Sequence, residues 1–187
     1  MQDWMLNRIQ NIESAFTESY CQAIDSVIDE LTLTFKSGHK LLICGNGGSA
    51  ADAQHIAGEL VGRFLKIRKG LPAIAIVSDS ATMTAIANDL GGEYIFARQV
   101  EALGNKGDML WAISTSGKSK NILLAMQTAK KIGLSTIGLA GNNGGLMEDL
   151  TDHPLFVSTK ETPRIQEIHL LTYHYICEKV EEKVFNY

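Results

Sequence analysis

The sequence predicts an α/β fold of the doubly wound type, a parallel sheet flanked by helices, with long helices at both ends of the chain. Three observations lead there. From residue 40 onward, short apolar runs alternate with segments of helical period. Two of those runs pass directly into glycine- and serine-rich loops that open a helix. Both ends of the chain carry extended amphipathic stretches free of internal breakers. Strands alternating with helices imply parallel pairing, with helices on both faces of the sheet.

Residues 4–35 lack Pro and Gly, and their apolar positions (Ile9, Ile12, Phe16, Tyr20, Ile24, Ile28, Leu31, Phe35) recur every three or four residues. That spacing predicts one long helix. A domain of this size covers only part of such a stripe, so the N-terminal segment 1–37 is expected to pack in an oligomer. Residues 40–44 (KLLIC) form a first strand and 49–64 a helix. Residues 73–77 form a second strand, followed by helical segments 79–87 and 95–103 separated by a break at 88–92. A third strand at 109–113, a helix at 119–132 and a fourth strand at 135–139 follow. A short fifth strand is placed at 155–157, and a final helix at 164–185 starts just after Pro163. Residues 141–145 read as an exposed turn without a role. The whole chain, 1–187, is read as one domain, large enough to bury a proper core.

Composition narrows the function. The formal net charge is −4, which argues against attachment to nucleic acid through bulk positive charge. Apolar runs fall short of a membrane span. Residues 1–14 carry Asp3, Arg8 and Glu13 and no sustained apolar stretch, so no signal peptide is read. The three cysteines, Cys21, Cys44 and Cys177, are odd in number and far apart. They fit a reducing compartment, and the expected location is the cytoplasm.

In doubly wound folds ligands collect at the carboxyl ends of strands, so the loops after Cys44, Val77, Ile113 and Leu139 matter most. The first is 44–49 (CGNGGS), in which Asn46, Gly47, Gly48 and Ser49 lead into a helix. Glycines admit a close ligand and a helix N-terminus favours an anion, but the same residues also make a tight turn with Ser49 as N-cap. It matches neither the dinucleotide fingerprint, since position 50 is Ala, nor a P-loop. The second loop, 114–119 (STSGKS), places Ser114, Thr115, Ser116 and Ser119 around a helix start. Four hydroxyls exceed what capping needs, which favours a phosphate cradle. His55 and Glu59 lie on one helical face at i, i+4; alone they read as a solvated pair. On the last helix Gln166 and His174 are eight residues apart, near one stripe, whereas His169 turns to another edge. Set among Leu171, Tyr173, Tyr175 and Ile176, His174 reads equally as a core histidine, a catalytic acid or a metal ligand.

Taken together, CGNGGS at 44–49, the His55/Glu59 pair, TAIAND at 84–89, ISTSG at 113–117 and RIQEIH at 164–169 with His174 resemble the phosphoheptose isomerase family of the SIS (sugar isomerase) superfamily. The resemblance spans nearly the whole chain. It implies conversion of D-sedoheptulose 7-phosphate to D-glycero-D-manno-heptose 7-phosphate through an enediol, the first step toward bacterial nucleotide-linked heptose and lipopolysaccharide. It implies a homotetramer with active sites at subunit interfaces. It also implies Asn46, Gly47, Gly48, Ser49, Glu59, Asn88, Asp89 and Gln166 at the sugar, and Ser114, Thr115, Ser116 and Ser119 at the phosphate. Glu59 and His174 match the acid/base pair. His55, Glu59, Gln166 and His174 match a zinc site, one Zn²⁺ per subunit. The rival reading is a non-catalytic SIS protein, a sugar-phosphate sensor or replication-initiator adaptor, which need not keep the acid/base set. A nucleotide-binding enzyme is disfavoured by the first loop, although Asp79 lies close to the second strand.

Overall fold

The computed structural model describes residues 1–186, so the last position of the single domain expected over 1–187 lies outside them. Its elements run α1 (Gln2–Glu13), α2 (Glu18–Lys36), β1 (Leu41–Gly45), α3 (Gly48–Val61), β2 (Ala73–Ala75) and α4 (Ser80–Asp89). They continue with α5 (Ala97–Leu103), β3 (Met109–Ser114), α6 (Lys120–Ile132), β4 (Ser135–Ala140), β5 (His153–Phe156) and α7 (Thr162–Phe185). The strands form one parallel sheet in the order β2-β1-β3-β4-β5. The central strands β1 and β3 are buried along their length, with Leu41, Leu42, Ile43, Trp111 and Ile113 sealed from solvent. That is the pattern of a strand covered on both faces.

This order reverses direction between β1 and β3. From β1 the chain moves to β2 through α3; from β3 it moves the other way to β4 through α6. Right-handed crossovers therefore set α3 and α6 on opposite faces. The packing agrees: α3 lies on α7, which lies on α2, while α6 lies on α5. The seam above Gly45 and Ser114, which lie on adjacent strands, is the crevice where doubly wound folds bind ligands.

Several sequence expectations are corrected. The stretch 4–35 is two helices. Ser14 Oγ donates to the Asn11 carbonyl, and Thr17, in extended conformation, caps α2 by accepting from the Tyr20 amide at 3.3 Å. Local hydroxyl bonds compete with the helical ladder there, while the apolar phase carries on undisturbed. In the second helix Tyr20, Ile24, Ile28, Leu31 and Phe35 are buried as the stripe predicts. No residue of α1 is buried, and Trp4 and Ile9 are more than half exposed. Strand β2 stops at Ala75, where Ser78 closes a turn, and Asp79 caps α4 by accepting from the Thr82 amide. Asn88 and Asp89 end α4 and do not fall in a break. Strand β5 begins two residues before the predicted 155–157, with Pro154 tolerated because the strand is an edge. Pro163 lies inside the first turn of α7, where its missing N–H is not needed.

Candidate active site

The two glycine- and hydroxyl-bearing loops meet at the topological switch point. Gly47 takes a φ of +56° and stands at the N-cap of α3, so Ser49 is buried in the first turn and is not the cap. A methyl on Gly45 would overlap the Ser49 backbone, and one on Gly48 would overlap the Gln166 amide. Gly45 requires glycine because backbone approaches it closely, whereas at Gly48 the contact is with the movable end of the Gln166 side chain. In the second loop Ser114 is buried and its Oγ lies 3.3 Å from Ser119 Oγ; Ser116 Oγ accepts from the Lys118 amide. Thr115 is half-buried and Ser116 exposed. At the start of α6 the Ser119 side chain makes no capping hydrogen bond, and Gly47 at the start of α3 has no side chain to make one. The loops are tied across the seam by Asn46 and Asn121, whose amides exchange hydrogen bonds of 2.9 and 2.8 Å. Asn121 carried no signal in the sequence beyond its place two residues into a helix.

The turn at 141–145, expected to be exposed, supports the second loop. Gly141 and Gly144 are buried, and the Leu146 amide donates to the Gly117 carbonyl at 2.9 Å. Gly117 has a φ of +63° and faces the Gly144 carbonyl closely enough to exclude any side chain. This contact joins residues far apart in the chain, which is why local sequence patterns did not show it.

One helix away, α3 and α7 bring His55, Glu59 and His174 together. His55 Nε2 lies 3.1 Å from Glu59 Oε1 and 3.3 Å from His174 Nε2, and one donor atom from each falls within 4.8 Å of the others. Burial holds the His174 imidazole below its usual value, the neighbouring His55 adds to this, and Glu59 opposes it. His174 is therefore a neutral base near pH 7. Two imidazole nitrogens and a carboxylate oxygen at this spacing suit a divalent metal with an open position. Gln166 lies two turns along α7 from His174, about 12 Å of helix rise, with its amide against Gly48 at the mouth of the first loop.

Four further residues, given no role from the sequence, adjoin this cluster. Tyr173 OH lies 3.0 Å from His55 Nδ1 and donates to Asp52 Oδ1 at 3.4 Å. Beneath them, Glu181 accepts from the amides of Phe64, Leu65 and Lys66 and from Arg68 Nε, all between 2.9 and 3.1 Å. Arg68 donates in turn to the carbonyls of Glu59, Leu60, Gly62 and Lys69. Both side chains of this pair are almost fully buried. The carbonyls that end α3, including that of Glu59 itself, are thereby pinned to α7. Only an i, i+3 spacing of Asp52 with His55 hinted at any of this.

The remaining predicted residues lie elsewhere. Asn88 and Asp89 are exposed at the end of α4 and hydrogen-bond to each other at 2.8 Å. Asp89 lines a groove with Leu90, Tyr94, Leu124 and Thr128, on the outer side of α6. His169 is fully buried, and burial pushes its imidazole down to about 4.

The SIS domain family model matches residues 5–141. A phosphoheptose isomerase of Crocosphaera subtropica is 60% identical over 185 residues, which is 99% of this chain and 94% of the relative. Among solved structures, a phosphoheptose isomerase of Neisseria gonorrhoeae superposes with a TM-score of 0.90 at 35% identity, covering 97% of this chain and 96% of that one. One from Francisella tularensis gives 0.90 at 37% identity with the same coverage.

Proposed function

Since the chain belongs to the phosphoheptose isomerases of the SIS-domain family, we infer that it is an aldose–ketose isomerase that converts D-sedoheptulose 7-phosphate to D-glycero-D-manno-heptose 7-phosphate. The observation that carries this reading is the Glu59/His55/His174 cluster on α3 and α7, the helices that also meet at the first of two anion-ready loops at the switch point.

The reaction moves one proton from C1 to C2 and another between the attached oxygens, through an enediol. The hydroxyls of Ser114, Thr115, Ser116 and Ser119 and the start of α6 hold the phosphate. Asn46, Gly47, Gly48, Ser49 and Gln166 position the sugar beside them. Fixing the distant phosphate orients C1 and C2 for transfer. Glu59 takes the carbon-bound proton, which exchanges with solvent while the enediol persists, and delivers a proton to the adjacent carbon. His174, kept neutral by burial and His55, serves the oxygens. A zinc ion held by His55, Glu59, Gln166 and His174 would polarise the substrate oxygens. Glu59 presents Oε1 to His55, leaving its second oxygen as the base.

The unburied apolar residues of α1 and the position of Asn88 and Asp89 support a homotetramer. In it α1 packs on other copies, and Asn88 and Asp89 reach a neighbouring subunit's sugar. The unpaired cysteines support a cytoplasmic location, and among the described residues no helix is long and apolar enough to cross a membrane.

The test is turnover of sedoheptulose 7-phosphate in deuterated water, followed by NMR of the C1 and C2 protons. Aldoheptose phosphate carrying solvent deuterium is the expected product. The Glu59→Gln variant should fold normally and lose turnover by about 10²-fold or more. Substrate binding without turnover in metal-replete wild type would overturn the reading in favour of a sensor. Near-wild-type activity of Glu59→Gln would remove Glu59 as the base.

A further inference from the structure

We propose that Tyr173 and Asp52 form an outer shell that fixes His55 with its proton on Nδ1 and so delivers Nε2 as a metal ligand. The inference rests on the metal reading of the His55/Glu59/His174 cluster and adds two residues to it.

A neutral imidazole has one N–H and one lone pair. In the cluster Nε2 of His55 faces Glu59 Oε1 and His174 Nε2, so metal binding there needs the lone pair on Nε2. The proton then sits on Nδ1 and needs an acceptor. The atom in reach is the Tyr173 phenol oxygen at 3.0 Å. That oxygen accepts well when its own hydrogen goes elsewhere, and Asp52 Oδ1 takes it at 3.4 Å. The chain Nδ1–H to Tyr173 O, then Tyr173 O–H to Asp52, has a single direction because an ionised carboxylate only accepts. Asp52 Oδ2 is buried and without a hydrogen-bond partner, so this carboxylate is not claimed by another donor.

The packing holds the relay in place. Tyr173 is fully buried and its ring meets His55 edge-on, with centroids 5.4 Å apart and planes at 70°. Asp52 and His55 are one turn apart on α3, whereas Tyr173 comes from α7 next to the second histidine. Both helices that supply ligands thus also supply the groups that orient them. Outer-shell partners of this kind commonly change metal affinity by about 10- to 100-fold.

The experiment is zinc affinity of the full-length protein, measured by competition with a chromophoric chelator, together with nitrogen-15 NMR of the His55 ring in the zinc-loaded state. Tyr173→Phe keeps the ring and removes the hydroxyl; we expect zinc binding weaker by about 10- to 100-fold. Wild type should show the proton on Nδ1. If Tyr173→Phe disturbs folding, Asp52 tests the same relay. Asp52→Asn keeps a carbonyl acceptor and should bind zinc close to wild type, whereas Asp52→Ala should weaken it. Equal affinity in both Asp52 variants overturns the relay. Wild-type affinity in Tyr173→Phe, with affinity lost in His55→Ala, overturns it while leaving the metal site standing. Wild-type affinity in His55→Ala removes the metal site and this inference with it.

Discussion

Gly117 shows how much a single residue carries. Its φ of +63° is a conformation that side-chain-bearing residues adopt at a cost, and the Gly144 carbonyl occupies the space a Cβ would fill. Gly117→Ala should therefore destabilise the protein by about 2 kcal/mol, read from urea unfolding. It should also raise KM for the sugar phosphate, since the hydroxyls of the second loop lose their fixed backbone. An unchanged KM would separate the loop from phosphate binding. His174 illustrates the opposite case. The sequence left it between core and chemistry, and the fold decides by placing it half-buried against His55 and Glu59. His169, three residues earlier, is the buried one.

At the scale of elements, α3 and α7 are joined by the buried Arg68–Glu181 pair. Arg68→Met leaves a buried carboxylate without its cation and should cost about 3 kcal/mol or more, measured by denaturant unfolding. Catalysis should fall beyond what stability explains, because the Glu59 carbonyl loses its anchor. The pair also gives the protein an acid limit. Burial raises the Glu181 carboxyl, but the amides of Phe64, Leu65 and Lys66 and the Arg68 guanidinium outweigh it, so the group titrates below its ordinary 4.5. A depressed folded value means the unfolded chain binds the proton more readily. Stability from Glu181 is complete above the unfolded value and is lost as pH falls through the folded one. Urea midpoints from pH 6 downward should show this decline, and Glu181→Gln should flatten that part of it. An identical slope in the variant would place the acid lability elsewhere, for instance at Asp108 or Asp152, whose carboxyls are also held low.

For the molecule as a whole, the proposed homotetramer makes a testable statement about which subunit supplies each half of the site. Asn88 and Asp89 end α4 on the far side of α6, while Glu59 and His174 lie between α3 and α7. If the site draws Asp89 from a neighbour, Glu59→Gln and Asp89→Ala should each be nearly inactive alone. Co-expressing the two chains should restore activity, because some interfaces then combine two intact halves. Absence of complementation in a mixed oligomer would place all these residues within one subunit's site. The proposed homotetramer should bury the apolar residues of α1, so that Trp4 fluorescence would report its assembly.

Fold class, the order of the strands and of the helices after residue 40, and the two ligand loops are legible in the residues alone. These are carried by apolar period, by glycine and by clustered hydroxyls, all of which are local signals. The family resemblance was equally legible, and it named Glu59, His174 and His55 as a group. The tertiary structure decided what depends on contacts between distant residues. It broke the N-terminal helix at Ser14 and Thr17, where side-chain hydrogen bonds override a continuous apolar phase. It set the loops after β1 and β3 side by side at the switch point, because strand order is a property of the sheet. It also supplied Asn121, Tyr173, Asp52, Arg68 and Glu181. Their partners are polar groups mostly far along the chain, and no periodicity records a hydrogen bond between two helices that meet only in the folded protein.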